Sequence, residues 1–141
     1  FTLVELLVVF AIAALLISVA PFAAVRLQEA AEYRNTVRLM LSVMSDARRS
    51  SMAYGRSAAF ELDLRDRRFG LEGGAQHQLP ENLEVAVDVA ETELVEDRLA
   101  RIRFFPGGGA TGGSVVIRRP AGDGVRIRAD WLLGRITQEP L

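Results

Sequence analysis

The chain begins FTLVELLVVFAIAALLISVA (residues 1–20), and within this stretch only Glu5 carries a charged side chain. The apolar run continues to Val25 and is otherwise interrupted only by Ser18 and Pro21. As a helix from Leu3 to Val25 it would be roughly 34 Å long, which is enough to cross the hydrocarbon core of a bilayer. The sequence therefore predicts a membrane-spanning helix over residues 1–25.

A secretory signal peptide is the alternative interpretation of this segment. Such a peptide has basic residues ahead of a shorter apolar run and is removed from the mature protein. Here the first basic residue is Arg26, after the run, and the chain begins at Phe1 rather than at Met. We therefore expect a segment that is retained after processing. Pro21 predicts a kink in it, because proline removes one backbone hydrogen bond of the helix.

Glu5 is the costly residue of the apolar run. A carboxylate at the centre of a membrane helix costs about 2.5–3.5 kcal/mol, and less near the interface. The nearby positive group is an α-amino terminus, and the residues favour an assembly in which Glu5 neutralises the Phe1 amine of a neighbouring subunit. The alternative is a Glu5 side chain that lies near the interface and reaches water.

Beyond the apolar run the pattern first indicates a helix and then strands. Apolar residues recur at three- and four-residue steps from Arg26 to Tyr54, which predicts one packing face, and Gly55 is a predicted stop. The members of that face are Ala30, Tyr33, Val37, Met40, Leu41, Met44 and Ala47.

After Gly55 the apolar period changes to two, which is typical of half-buried strands. The predicted strands are residues 58–64 with a return over 68–71, residues 83–89, residues 101–105, and a hairpin of 115–119 with 125–131. The sequence thus predicts an α+β fold, with one long helix on a small antiparallel sheet or sandwich. The predicted divisions are a membrane or core helix (1–25), its amphipathic continuation (26–55) and a β domain (56–141).

No motif of this sequence predicts catalysis. Cysteine is absent and there is a single histidine, His77, which we expect on a surface loop. The glycine-rich run of residues 107–114 lacks the lysine of a phosphate-binding loop, so we expect a connection between strands. We expect no catalytic residue, no cofactor and no metal site.

Charge is distributed unevenly in the β region. Carboxylates gather between Glu72 and Asp97, while arginines dominate residues 98–135, although the formal net charge is only −1. Four acidic residues over 91–97 could serve as calcium ligands, but a solvated acidic face is the favoured interpretation. The acidic and basic regions could pair within the domain or between neighbouring subunits, and the sequence leaves both open.

The N-terminal residues Phe1-Thr2-Leu3-Val4-Glu5-Leu6, followed by the apolar run, resemble the mature start of type IV pilins and type II secretion pseudopilins. The resemblance implies that a prepilin peptidase cuts before Phe1 and methylates its amine, and that Phe1 and Glu5 act in filament assembly. It also implies an inner-membrane anchor with a periplasmic domain, an inner-membrane assembly platform as a partner, and packing of N-terminal helices against other pseudopilins.

A second resemblance lies in the C-terminal half, which is similar to the GspH/FimT family of minor subunits. The residues that carry it are Phe104, Pro106, Gly107, Gly112, Gly113, Trp131, Gly134 and Arg135. In that family a pilin helix is capped by a small β-sandwich-like domain. The resemblance implies a minor pseudopilin near the tip of the secretion pseudopilus, which links the other minor subunits to the major shaft.

The alternative within the family is a FimT-like minor pilin that binds DNA for uptake. There the C-terminal motif is G-R-x-R, whereas this chain has Gly134-Arg135-Ile136-Thr137 and lacks the second arginine. Arg126, Arg128 and Arg135 would then contact phosphates. The missing arginine and the net negative charge favour the secretion subunit, and nucleic acid is not the expected partner.

Overall fold

The fold is described from a computed structural model that covers residues 1–18 and 24–141. Its one long helix, α1, spans Leu3–Tyr54. The helix ends where Gly55 adopts a φ of +64°, a backbone conformation that glycine reaches without steric cost and that commonly terminates helices. The predicted kink at Pro21 lies outside the described residues and stays a prediction.

The first compact unit of the chain is Phe1–Glu32. Its large apolar side chains are exposed in the isolated chain; Leu3, Phe10 and Leu16 keep 80%, 67% and 66% of their surface. Within residues 1–18 and 24–141, no helical stretch meets both the length and the apolarity needed to span a membrane.

The second unit, Tyr33–Leu141, holds the end of α1 and nine strands. The strands are β1 (Ala58–Asp63), β2 (Arg68–Leu71), β3 (Gln76–Gln78), β4 (Glu84–Val89), β5 (Leu94–Val95), β6 (Leu99–Phe104), β7 (Gly113–Arg118), β8 (Gly124–Ala129) and β9 (Ile136–Pro140). They form two antiparallel sheets, a five-stranded sheet of order β3-β2-β1-β6-β5 and a four-stranded sheet of order β4-β7-β8-β9.

Both predicted hairpins are present. Phe60 lies opposite Leu71 in β1–β2, and Val116 lies opposite Arg126 in β7–β8. Other details differ from the prediction. Strand β8 stops at Ala129, so Trp131 lies in a turn, and His77 lies on β3 opposite Phe69 instead of in a loop.

One apolar core joins the helix to both sheets. The helix contributes buried residues from its predicted packing face, including Val37, Met40 and Met44, and the strands contribute side chains such as Phe104 and Ile127. Each large side chain of this kind stabilises the folded state by about 1.5–3 kcal/mol on burial. The protein thus has the predicted α+β architecture of a long helix with antiparallel sheets.

Candidate functional site

The N-terminus of α1 is closed by reciprocal hydrogen bonds between Thr2 and Glu5. The Glu5 backbone N–H donates to Thr2 Oγ1 (3.3 Å), and the Thr2 N–H donates to Glu5 Oε2 (3.5 Å). This is a capping box, in which residues three apart satisfy each other's free backbone donors. Within its own chain Glu5 therefore caps the start of the helix, in addition to its predicted role toward a neighbour's amine. The sequence analysis did not predict this cap, although the spacing T-x-x-E indicates it.

The two C-terminal groups of family residues meet in space. The Ala110 N–H donates to the Trp131 carbonyl at 2.9 Å, which joins the glycine loop (residues 105–112) to the turn after β8. The glycine loop and the turn approach so closely that Gly112 and Gly134 have little or no room for a side chain. A Cβ on Gly134 would lie 2.5 Å from the Gly108 carbonyl oxygen, and one on Gly112 would lie 3.2 Å from Trp131 Cβ.

The glycine loop itself is tightly folded. The Phe105 N–H donates to the Gly109 carbonyl and the Gly108 N–H donates to the Phe105 carbonyl, both at 2.9 Å. Phe104 precedes the loop and is fully buried, whereas Pro106 and Gly107 are exposed. Phe104 is therefore a core residue of the β domain, and the exposed part of the motif is the loop.

The turn after β8, which we call the apolar turn (Asp130–Arg135), is fixed by its own first residue. Asp130 Oδ1 accepts hydrogen bonds from the N–H groups of Leu132 (3.0 Å) and Leu133 (2.8 Å). The Asp130 N–H donates to the Arg135 carbonyl at 2.8 Å, and Gly134 adopts a φ of +58°. An aspartate that bonds the backbone two and three residues ahead is a common way to fix a turn.

Three large apolar side chains project from this turn into solvent. Trp131, Leu132 and Leu133 keep 66%, 60% and 54% of their surface exposed. Beneath them, Arg48 of α1 donates from Nη2 to the Leu133 carbonyl at 3.3 Å. Sequence reasoning missed Arg48, because its partner lies 85 residues away and no local pattern announces such a contact.

The arginines of the DNA-binding alternative lie on β8 and in the turn that follows it. Arg126 and Arg128 are exposed on the outer face of the four-stranded sheet, and Arg135 is exposed in the apolar turn. Arg126 and Arg128 line a cleft of about 680 Å³, but Asp88 and Asp130 line it too. This mixed lining gives the cleft no single sign of charge.

Two carboxylates of the acidic region, Glu72 and Glu93, form ion pairs within the domain, as does Glu61 before it. Arg103 on β6 donates from Nε to Glu93 (3.0 Å) and from Nη1 to Glu72 (3.0 Å), and Arg101 donates to Glu61 (2.9 Å). The hydrogen bonds to Glu72 and Glu93 raise the pKa of Arg103. Of the two pairing modes left open by the sequence, internal pairing is present for these residues.

The calcium hypothesis for residues 91–97 gains no support from this arrangement, because Glu93 is buried against Arg103. Within the described part of the chain, no group of three or more acidic, histidine or cysteine side chains converges as a metal site would.

A second cluster ties the helix to the β7–β8 turn. The Arg119 guanidinium binds both carboxylate oxygens of Asp123 and stacks over the Tyr33 ring, with 5.1 Å between Cζ and the ring centroid. The hydrogen bond from Arg119 lowers the pKa of Asp123, and burial raises the pKa of Tyr33.

No protein-family model and no curated protein matches the chain. Among solved structures, the chain is similar to the minor pseudopilin EpsH from the type 2 secretion system of Vibrio cholerae, with a TM-score of 0.61 and 13% sequence identity. The match covers 77% of this chain and 97% of that chain. At this identity the similarity concerns the fold: the long helix and antiparallel sheets of this protein have the architecture of a GspH-like pseudopilin.

Proposed function

We propose that this protein is a minor pseudopilin, a structural subunit of a type II secretion pseudopilus that supports export of proteins across the outer membrane. One combined observation carries the proposal. A chain that combines Phe1, Glu5 and a long apolar run is also similar in fold to the minor pseudopilin EpsH over 77% of its length.

The proposal assigns residues 1–25 to an inner-membrane anchor that later packs in the filament core, with the β domain in the periplasm. A prepilin peptidase exposes and methylates the Phe1 amine, and the assembly platform of the inner membrane receives the subunit. The exposed apolar side chains of residues 3–17 support this role, because apolar surface of that extent needs lipid or other helices around it.

Within the filament, Glu5 neutralises the Phe1 amine of the adjacent subunit. In the described part of this chain Phe1 has no ion-pair partner, and the Glu5 carboxylate makes a long 3.5 Å contact with the Thr2 N–H. Glu5 can thus exchange its weak hydrogen bond with the Thr2 N–H for a charged hydrogen bond with a neighbour's amine. Such a bond between two charged groups is the stronger one, above all in an apolar medium.

We also propose a place near the tip of the pseudopilus, between the other minor subunits and the major shaft. The similarity to a minor rather than a major subunit supports this placement. The DNA-uptake alternative is disfavoured by the carboxylates Asp88 and Asp130, which would face phosphates in the cleft beside Arg126 and Arg128. Binding of duplex DNA to the full chain at two salt concentrations discriminates, since phosphate contacts weaken steeply with salt.

The decisive variants are Glu5→Gln and Glu5→Val in the full chain. Glutamine at this position preserves both hydrogen bonds of the capping box but removes the charge, whereas valine removes the charge and the hydrogen bond that the Glu5 side chain accepts. If charge pairing drives assembly, both variants enter the pseudopilus at least about tenfold less than wild type, because an unpaired buried amine is costly. Quantitative blotting of sheared pseudopili measures this.

The two variants also separate the competing explanations. Normal incorporation of Glu5→Gln together with failure of Glu5→Val would mean that Glu5 serves only to cap the helix. Normal incorporation of both would remove the proposed role of Glu5. Mass spectrometry of the native protein provides an independent check, with an N-methylated phenylalanine expected at position 1.

A further inference from the structure

The apolar turn is an unusual surface for a domain with a complete core. Trp131, Leu132 and Leu133 are consecutive in sequence and each is more than half exposed. Isolated exposed apolar residues are common, but a contiguous patch of large ones marks an interaction site. Tryptophan in particular is enriched among the residues that dominate binding energy at protein interfaces.

The turn is also held rigidly, so that binding would cost little ordering entropy. Its backbone is fixed by Asp130 from within, by Arg48 from the helix and by the Ala110 N–H from the glycine loop. Preorganised segments bind more tightly because their conformational freedom has already been lost on folding. The glycines at 112 and 134 permit this close packing, which gives the family motif a physical purpose.

The charges around the turn indicate the chemistry of its partner. Arg48, Arg128 and Arg135 make no ion pair within the described residues, and Arg48 Nε is buried without a hydrogen-bond partner there. Two carboxylates, Asp130 and Glu139, lie nearby, so the three arginines exceed them by one positive charge. An incoming surface with carboxylates at its rim would complement the remaining positive charge.

We propose that the apolar turn docks into an apolar pocket with an acidic rim on a different pseudopilin subunit. The inference rests on the proposed function and deepens it, because it names the β-domain surface through which this subunit contacts its neighbour. Capture of a second copy of this chain in place of another pseudopilin is an outcome that the experiment distinguishes.

The test uses the full chain, tagged and co-expressed with the other pseudopilins of its own secretion system, then extracted in detergent and recovered by the tag. The variant is Leu132→Ser combined with Leu133→Ser, and the matched control is Val95→Ser, an exposed apolar residue on strand β5. We expect the double variant to recover at least about tenfold less of one neighbouring subunit. The control recovers it as wild type does.

A second measurement guards against misfolding of the double variant. Because the chain has no cysteine, Leu132→Cys and Val95→Cys each introduce a unique thiol for an environment-sensitive fluorophore. On addition of the neighbouring subunit, a probe at position 132 should shift to the blue, and a probe at position 95 should not.

The outcomes separate this inference from the proposed function. If the double variant recovers the neighbour normally while Glu5→Val loses it, the docking role of the turn is wrong and the pseudopilin function stands. If wild type recovers no pseudopilin at all, both proposals fail. Capture of a second copy or of duplex DNA that depends on residues 132 and 133 would likewise overturn the inference.

Discussion

At the scale of single residues, the glycines of the C-terminal motif serve different purposes. Gly134 has a φ of +58°, and a Cβ there would meet a backbone oxygen at 2.5 Å. A Cβ on Gly107 would meet no other atom within 4 Å, and the backbone at this residue is not left-handed. Position in a motif therefore does not by itself indicate which glycine the fold requires.

Replacement of these two glycines should have opposite effects. Gly134→Ala is expected to destabilise the protein by about 2 kcal/mol or more, because strain at positive φ and a backbone clash add together. Gly107→Ala is expected to be neutral or to stabilise by up to about 1 kcal/mol, because it restricts the unfolded chain. Urea unfolding of the full chain in detergent measures both, and equal losses would contradict this account.

At the scale of elements, the Arg119–Asp123 pair joins the β7–β8 turn to Tyr33 on the helix. The hydrogen bond from Arg119 lowers the pKa of Asp123 in the folded protein. A carboxyl with a lowered folded pKa contributes stability above its unfolded pKa, and this stability is lost as the pH falls through the folded value. The pair is therefore an acid-sensitive link between a helix and a turn.

The pH dependence of an Asp123→Asn variant tests this link. At pH 7 the wild type should be the more stable protein, because only the aspartate is ionised. The difference should shrink as the pH falls below about 4, where the unfolded carboxyl becomes protonated. Thermal unfolding across pH 2–7 provides the measurement. A difference that is constant with pH would mean that the pair has no electrostatic contribution.

Some secondary-structure elements could be predicted from the sequence and others could not. Helix α1 and the two hairpins follow from apolar periods of 3.6 and 2, and the structure confirms them. Three short strands had no such signal. Strands β3 and β5 have three and two residues, and β9 carries polar side chains and a proline. These are edge strands, which depend on hydrogen bonds to a neighbour that the local sequence does not reveal.

The candidate site, too, could be predicted from the sequence only in part. Its motif residues could be named from the sequence, but the contact between the glycine loop and the apolar turn could not, since it joins Ala110 to Trp131 across two strands. Trp131 was expected in a strand because it follows an alternating run. Asp130 ends that alternation by binding the next backbone N–H groups, which leaves the tryptophan exposed.

At the scale of the whole molecule, the described apolar residues fall into a buried group and an exposed group. The buried core belongs entirely to the second unit, where it runs from Val37 on α1 to Ala129 on β8. The described large apolar residues of the first unit are exposed instead. Deletion of residues 1–25, at the predicted boundary, would therefore remove no residue of the core. We expect residues 26–141 to fold independently.

A truncated protein that begins at Arg26 tests this division. We expect it to remain monomeric without detergent and to unfold in one cooperative transition, because small domains with an intact core generally do so. Its midpoint in urea should equal that of the β-domain transition of the full chain in detergent, since the deleted residues contribute nothing to the core. A markedly lower midpoint would mean that residues 1–25 stabilise the β domain directly. That result would conflict with a core that lies entirely within the second unit.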